Sequence, residues 1–242
     1  MSWLIVGTVP RADYGLTWGS YALRGNVLEM EGRVVNVARG TSALMATAAV
    51  ATGVLGAEKP EALLAGDTGS GAGSREAYAR MTAGLEGSAY DGVTFHYLMP
   101  DVVWHNKILW ILEALPSRPL LVADAGFMYA AKMSGFAAHY DLFTPDAGEM
   151  AFLADEVAPH PFYTRGFLLQ EEERIPELIP LAYAAENAAR HLLIKGRTDY
   201  VVAEGAIIAA ISDPDIPALE PIGGTGDTLT GLVTALLASG LS

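Results

Sequence analysis

Short β-rich apolar runs alternate with segments of helical spacing over most of the chain. The apolar runs predict strands at residues 62–66, 93–98, 119–124, 141–144 and 191–195. The intervening patterns predict helices at residues 74–85, 102–115, 127–133, 147–153 and 171–190. This alternation is typical of an α/β protein with a central, mostly parallel sheet that carries helices on both faces. No internal repeat or linker divides the sequence, so we expect a single domain over residues 1–242.

Some segments depart from this alternation. Residues 198–211 and 27–37 each predict a β-hairpin, with a Glu-Gly pair at the turn. Residues 157–169 contain two prolines and a glycine without a clear period, and they predict a long loop. Loops of this length serve as lids, as oligomer contacts or as plain insertions, so its role stays open.

Polar groups stand where several predicted strands end. They are Asp67, His96, Asp124, Thr144, Lys195 and the loop 223–227. Because ligands of open parallel sheets bind beyond the carboxyl ends of the strands, these positions are the first candidates for a site.

The composition narrows the range of partners. The chain has 15 Lys and Arg against 28 Asp and Glu, a formal net charge of −13, so we expect neither nucleic acid nor an anionic membrane as the main partner. A nucleotide remains compatible, since backbone amides and a metal ion neutralise phosphates locally. Cysteine is absent, which excludes disulfides and thiolate chemistry. Residues 1–7 lack the basic segment of a signal peptide, and the apolar stretch 43–57 is too short for a membrane span, so a cytoplasmic protein is predicted.

The most distinctive motif lies near the end of the chain and leads straight into an apolar helical pattern. It reads Gly223-Gly224-Thr225-Gly226-Asp227. Such a junction directs free N–H groups and the positive end of a helix dipole at an anion. The hydroxyls of Thr225, Thr228 and Thr230 are further candidate donors to phosphate. Asp227 stands where it could take a proton from an attacking hydroxyl. The alternative is structural, with the glycines for packing and Asp227 as a helix cap.

Other positions also allow two interpretations. Asp146 and Glu149, at a predicted strand–helix turn, suit a phosphate-bound Mg²⁺ or act as helix caps. Asp124 either meets a substrate or metal, or caps the next helix. Lys195 either contacts a nucleotide or extends over the surface, whereas the bare backbone of Gly196 would let a nucleotide approach.

Several common motifs are missing from the sequence. It contains no Gly-Lys pair of a Walker loop, no Gly-x-Ser-x-Gly elbow and no His-Glu-x-x-His. The glycines of residues 69–74 have the wrong spacing for a dinucleotide fingerprint, and the five histidines are scattered without metal-ligand spacing. The histidines are therefore interpreted as mostly structural.

Taken together, these motifs resemble the ribokinase-like superfamily, whose members carry a Gly-x-Gly-Asp loop that opens a helix. Within it, the chain is most similar to the ADP/ATP-dependent NAD(P)H-hydrate dehydratases. The similar segments are Val-Ala-Asp-Ala at 122–125, Phe-Thr-Pro-Asp-Ala-Gly-Glu-Met at 143–150, Leu-Ile-Lys-Gly at 193–196 and the loop 223–227. Residues 67–71 replace the dehydratases' Pro-Gly-Leu-Gly, and Asp146 stands where dehydratases carry His and the related kinases Asn.

The resemblance implies a ribokinase-like fold that binds ATP or ADP with Mg²⁺, and a homo-oligomer with a small or absent β lid. It assigns the terminal phosphate to Gly223, Gly224, Thr225 and Gly226, and the role of base to Asp227. It assigns Lys195 and Gly196 to the nucleotide, Asp124 to the substrate, and Glu149 with Asp146 to the metal.

Two reactions share the implied first step. A dehydratase phosphorylates the hydroxyl of a hydrated nicotinamide and then expels phosphate, whereas a kinase releases the phosphorylated product. We favour the dehydratase from the sequence, with a kinase for a sugar or another small hydroxylated compound as the alternative and a non-catalytic nucleotide sensor as a further one. Residues 27–37 bear on this choice, because ribokinase-type sugar kinases carry an extra β lid near the N-terminus that dehydratases lack.

Overall fold

The computed structural model describes residues 1–158, 174–219 and 221–241. The strands in these residues are β1 (Trp3–Val9), β2 (Leu16–Gly19), β3 (Ala22–Arg24), β4 (Val27–Met30), β5 (Arg33–Asn36), β6 (Glu61–Gly66), β7 (Gly92–His96), β8 (Leu120–Ala123), β9 (Leu142–Phe143), β10 (His191–Ile194), β11 (Asp199–Ala203) and β12 (Ala206–Ile211). The α-helices are α1 (Thr41–Leu55), α2 (Ala72–Gly84), α3 (Val102–Glu113), α4 (Ala125–Met133), α5 (Ala147–Ala154), α6 (Ile175–Ala184) and α7 (Thr225–Ala238).

Most of the strands form one large sheet, in the order β12-β11-β10-β9-β8-β7-β1-β6-β2. The strands from β10 to β6 in this order run parallel. At one edge β2 pairs antiparallel with β6, and at the other β11 pairs antiparallel with both β10 and β12. Parallel neighbours need crossover connections, and the helices supply them. The predicted α/β fold with a mostly parallel sheet and helices on both faces is confirmed.

The central strand β1 packs on both faces of the sheet. Its Leu4 and Val6 lie in one buried cluster with residues of α2 and α4, and Ile5 lies in the cluster on the other face with residues of α1. On that second face α7 packs closely against α1, because Gly231 has no Cβ that would collide with the carbonyl oxygen of Leu44. This contact fixes the beginning of α7 relative to the beginning of α1.

A second, small antiparallel sheet consists of β3, β4 and β5. Its buried Leu28 and Val35 belong to the same cluster as residues of α1. The last strand, β5, is followed by residues 37–40 and then by α1, so this sheet is tied to the first turn of that helix. The hairpin predicted at 27–37 is therefore confirmed and gains a third strand, which makes a small sheet packed with α1.

The other predicted elements are confirmed with small shifts at their ends, except for one helix. The helix predicted at 171–190 begins outside the described residues, and α6 ends at Ala184. It stops early because Glu186 adopts a left-handed φ of 56° and the buried Asn187 side chain donates to the Leu153 carbonyl oxygen (3.1 Å). The loop predicted at 157–169 lies outside the described residues from residue 159 onward. Strands β1 and β2 are additions that the sequence patterns did not predict.

The longest helix of the described residues, α1, has 15 residues. A membrane-spanning helix needs about 20 apolar residues. Within the described ranges, no helix is long and apolar enough to cross a membrane.

Candidate functional site

Helices α1 and α7 begin side by side at the carboxyl edge of the large sheet. Gly224, the residue immediately before α7, has a φ of 109°. A Cβ on it would lie 2.9 Å from the carbonyl oxygen of Ala38. A Cβ on Gly223 would lie 3.1 Å from Cδ of Arg39. The glycines therefore let the loop approach the segment that leads into α1. As a result, the positive ends of two helix dipoles lie close together.

Asp227 joins the beginnings of these two helices. It is the third residue of α7, and its Oδ2 accepts a hydrogen bond from the N–H of Gly40, which precedes α1 (2.6 Å). Its Oδ1 lies 3.0 Å from Nε2 of His96. The predicted alternative, in which Asp227 caps its own helix, is wrong, since Gly224 is the N-cap residue of α7 and Asp227 bonds to the residue that caps α1.

The charge of Asp227 depends on two opposing effects. Burial raises the pKa of this carboxyl, but the hydrogen bonds from His96 and Gly40 outweigh burial and lower the pKa below its usual value. The side chain keeps 11% of its surface exposed. Asp227 is therefore an ionised carboxylate with one open side.

His96 lies at the end of β7 and is completely buried. Its Nδ1 is 3.0 Å from Oγ1 of Thr41, and its Nε2 is 3.7 Å from Oδ2 of Asp124 in addition to the contact with Asp227. The ring edge of Tyr97, a half-exposed residue with a left-handed φ of 51°, packs against it. His96 was among the candidate positions predicted at the strand ends, although the histidines in general were interpreted as mostly structural. The useful signal was the position of His96 at the carboxyl end of a buried strand.

Asp124 follows β8 and is 2% exposed. Its Oδ1 accepts from the N–H of Ala125, so it caps α4 as the structural interpretation predicted. Its Oδ2 accepts from Nζ of Lys195 (2.9 Å) and from Oγ1 of Thr230 (2.8 Å). Burial raises the pKa of Asp124, but Lys195 and His96 outweigh it and lower the pKa. Thr230 is fully buried. Its hydroxyl donates to Asp124 and not to the surface where a phosphate would bind.

Lys195 is not a surface lysine. Burial opposes its charge, but the carboxylates of Asp124 and Glu149 outweigh burial and raise its pKa. A Cβ on Gly226 would lie 3.4 Å from Cδ of Lys195, so the lysine stem runs beside the glycine loop. The following residue, Gly196, is exposed, and its N–H donates to Oδ1 of Asp199 (3.0 Å).

Asp146 and Glu149 form a reciprocal capping box at the start of α5. Oδ1 of Asp146 accepts from the N–H of Glu149 (2.8 Å), and Oε2 of Glu149 accepts from the N–H of Asp146 (2.9 Å). The other oxygen of Glu149 accepts from the hydroxyl of Tyr129 (2.7 Å). Burial, with the nearby carboxylates of Asp146 and Asp124, raises the pKa of Glu149 to about 8. The capping interpretation of both acids is confirmed.

The donor set at α5 fits only one kind of metal site. Among the described residues, no group of three or more His, Cys, Asp or Glu side chains is arranged to hold a metal ion. Mg²⁺, however, often keeps several waters and uses one or two carboxylates together with substrate phosphates. The exposed Asp146, beside the buried Glu149, suits such a hydrated ion.

Asp67 does not join the other candidate residues. Its carboxylate accepts hydrogen bonds from the N–H groups of Gly69, Gly71 and Ser74 and from the Ser74 hydroxyl. These bonds hold the turn into α2, and they lower the pKa of Asp67 although burial opposes the shift. The structure thus brings together His96, Asp124, Lys195 and the loop 223–227, and leaves Asp67 in a structural role.

A large cleft lies elsewhere in the described residues. It measures about 590 Å³ and is lined by residues that precede or begin the parallel strands, such as Trp3, Glu61 and Tyr90, together with Trp18 and Arg80. This is the amino edge of the sheet, opposite the edge where ligands of such folds bind. We therefore place the candidate site at the carboxyl edge around Asp227.

Comparison with solved structures identifies the fold. A ribokinase-like superfamily protein (EF1790) of Enterococcus faecalis matches with a TM-score of 0.52 and 16% identity, over 98% of this chain and 71% of that chain. Phosphofructokinase-2 of Escherichia coli, in complex with fructose-6-phosphate, matches with a TM-score of 0.50 and 13% identity, over 99% of this chain and 88% of that chain. The tetrameric inhibited form of the same enzyme matches with a TM-score of 0.51 and 12% identity, over 99% of this chain and 88% of that chain. The fold is ribokinase-like.

Comparison of sequences identifies a closer relative. No family model matches the chain. The protein of Methanocaldococcus jannaschii described as "Uncharacterized protein MJ1337" is 41% identical over 174 residues, which are 72% of this chain and 70% of that protein. The chain belongs to the same family as this archaeal protein, within the ribokinase-like fold.

Proposed function

We propose that this protein transfers a phosphoryl group from ATP or ADP to a hydroxyl group of a small molecule, with Asp227 as the general base. The observation that carries the proposal is the position of Asp227. It is an ionised carboxylate in the first turn of a helix that opens with glycines, and the beginning of a second helix lies beside it. A base next to a ready anion site is what transfer to a hydroxyl requires.

The terminal phosphate is proposed to lie over the loop Gly223–Gly226. The N–H groups of the first turn of α7 lack partners within the helix and point outward from its positive end. Lys195, beside Gly226, adds a positive charge close to this loop. Gly196 leaves its side of the loop open to the nucleotide, since it carries no side chain.

Asp227 is proposed to receive the proton of the substrate hydroxyl. Its bonds to Gly40 and His96 hold the carboxylate in one orientation, and its exposed side faces the region in front of both helices. Contact of Asp124 with the substrate stays a prediction. In the structure both of its oxygens accept internal hydrogen bonds, so we infer that it acts through Lys195.

Mg²⁺ bound at Asp146 and Glu149 would neutralise charge on the phosphates. Ionisation of Glu149, whose pKa is raised to about 8, would be favoured by such a cation. Asp146 would serve as the exposed ligand, while the capping box holds Glu149 in place behind it.

We favour a small-molecule kinase, which releases the phosphorylated product, as the enzyme that carries out this phosphoryl transfer. The small sheet β3–β5 leads directly into Gly40, which bonds to Asp227, so a lid-like sheet stands next to the proposed acceptor site. The fold neighbours include phosphofructokinase-2, described in complex with fructose-6-phosphate. NAD(P)H-hydrate dehydratase activity is the second candidate, and it rests on the sequence similarity around residues 143–150 and 223–227.

We also propose that the chain forms one domain over residues 1–242 and works as a homo-oligomer in the cytoplasm. The buried clusters on both faces of one continuous sheet support a single domain. Escherichia coli phosphofructokinase-2 has a tetrameric inhibited form, which supports the oligomer by analogy.

The experiment incubates the purified protein with ATP or ADP, Mg²⁺ and a panel of sugars, polyols and hydrated NADH. Phosphorus NMR follows new phosphate esters, and absorbance follows the return of NADH. A new ester supports the kinase, and recovered NADH without an ester supports the dehydratase. Asp227→Asn should lower turnover by about 100-fold or more, whereas Asp13→Asn, at a 74% exposed surface position, should not. The proposal would be overturned if the wild-type protein consumed no nucleotide with any acceptor. It would also be overturned if Asp227→Asn consumed nucleotide as fast as the wild type.

A further inference from the structure

Charged and polar groups alternate along the carboxyl edge of the sheet. Asp227 Oδ1 lies 3.0 Å from His96 Nε2, which lies 3.7 Å from Asp124 Oδ2, and this oxygen is 2.9 Å from Lys195 Nζ. The imidazole thus stands between two carboxylates that would otherwise repel each other. Nothing in the assigned roles of the base, nucleotide and metal residues uses this histidine.

The surroundings of His96 determine which nitrogen carries hydrogen. Nε2 faces two carboxylates, so it is protonated and donates to Asp227. Nδ1 faces the hydroxyl of Thr41, which donates to a neutral ring or accepts from a charged one. The titratable and charged groups that face the ring are Asp227 and Asp124, with the edge of Tyr97 beside them and Lys195 beyond Asp124.

The His96 ring lies in a closely packed part of the structure. The ring is fully buried, and a Cβ on Gly7 would lie 2.5 Å from the side chain of Thr41 and 2.6 Å from the carbonyl oxygen of His96. Strand β1 therefore packs against the side chain of Thr41 and the backbone of His96, and the ring itself is held by its contacts with Thr41 and Asp227. The orientation of the Asp227 carboxylate follows from this fixed ring and from the N–H of Gly40.

We propose that His96 is a positioning residue for Asp227, which rests on the proposed function of Asp227 as the base. The Nε2–H group holds Oδ1, Gly40 holds Oδ2, and the remaining lone pairs of the carboxylate face the acceptor site. Thr41 fixes the ring by bonding to Nδ1. His96 also separates Asp227 from Asp124, so that both carboxylates remain ionised at the same edge of the sheet.

The first test needs no substrate. The protein with ¹⁵N-labelled imidazole rings is studied by long-range ¹H–¹⁵N NMR, and His96 is assigned by its loss in His96→Gln. We expect a proton on Nε2 of His96, and a changed Nε2 resonance in Asp227→Asn. A ring that carries its proton on Nδ1 alone, or an Nε2 resonance unaffected by Asp227→Asn, would overturn the proposal.

The second test separates positioning from folding by kinetics. His96→Leu should lower kcat by roughly 10- to 100-fold, as expected for the loss of a charge-assisted hydrogen bond, with KM for the nucleotide within about twofold. Because the pKa of Asp227 is lowered by His96, the acidic limb of the pH–rate profile should move to higher pH in this variant. His96→Gln, which can donate an N–H, should restore part of kcat, and the matched surface variant His139→Gln should behave like the wild type.

Thr41→Val keeps the shape of the side chain but removes the hydroxyl that bonds to Nδ1 of His96. In this variant the acidic limb of the pH–rate profile should also move to higher pH, by less than in His96→Leu. An unchanged pH profile in folded His96→Leu would contradict the proposal. If the wild-type protein transfers no phosphoryl group to any acceptor, the proposed function fails, and the NMR result still decides whether His96 holds Asp227.

Discussion

The backbone N–H of Gly40 donates to Oδ2 of Asp227 over 2.6 Å, although 187 residues separate them in the chain. Gly40 precedes α1 with a φ of 69°, and Asp227 belongs to the first turn of α7. One carboxylate therefore stabilises the positive end of a neighbouring helix while it stands at the positive end of its own. This bond ties the beginnings of the two helices together.

Substitution of Gly224 by Ala should destabilise the protein. Gly224 has a φ of 109°, which Ala rarely adopts, and the added Cβ would lie 2.9 Å from the Ala38 carbonyl oxygen. We expect the free energy of unfolding, measured by urea titration, to fall by about 1–3 kcal/mol, together with weaker nucleotide binding.

The matched control for this change is Gly53→Ala. Gly53 lies inside α1 and a Cβ there meets no atom within 4 Å, so this variant should be as stable as the wild type or up to about 1 kcal/mol more stable. Equal effects of the two alanines would show that the approach of the loop to Ala38 is unimportant.

Removal of Lys195 should cost more stability than removal of the whole ion pair. Lys195→Met leaves Asp124, with 3% of its side chain exposed, as a buried carboxylate without its closest cation. Loss of one partner of a buried pair typically costs about 3–5 kcal/mol. We expect Lys195→Met alone to be less stable than the double variant with Asp124→Asn, in thermal or urea unfolding. If the losses of stability caused by Lys195→Met and by Asp124→Asn simply add up in the double variant, the two side chains do not stabilise each other, and this prediction is wrong.

Glu149 should make the stability of the nucleotide-free protein fall as the pH rises. Its pKa is raised to about 8 in the folded state, because burial and the carboxylates of Asp146 and Asp124 disfavour the charged form. An unfolded Glu titrates near 4.3. Between these two values the folded protein holds a proton that the unfolded chain has released, so the free energy of unfolding decreases with rising pH.

The measurement compares the melting temperatures of the wild type and Glu149→Gln from pH 4.5 to pH 8.5. We expect the variant to lose less stability over this range, because an amide can still accept from the Asp146 N–H without titrating. Glu76→Gln, at an exposed position of α2, should follow the wild type. Parallel curves for Glu149→Gln and the wild type would contradict the raised pKa.

Much of the fold was predictable because local patterns determined it. The strands at 62–66, 93–98 and 119–124 are short apolar runs buried on both faces, and the turns at 204–205 and 31–32 are marked by glycine. The end of α6 was not predictable from periodicity. It depends on the buried contact of Asn187 with Leu153, which lies 34 residues away.

The sequence by itself determined the loop 223–227, the acids at 124, 146 and 149, and the lysine at 195, because each follows a strand or opens a helix with residues suited to that position. Only the tertiary structure decided how they are used. It showed that Thr230 donates to Asp124, that Lys195 forms an ion pair with the buried Asp124, and that His96 contacts Asp227. The physical reason is that hydrogen bonds and pKa shifts depend on distances between residues far apart in the chain, and close packing alone sets those distances.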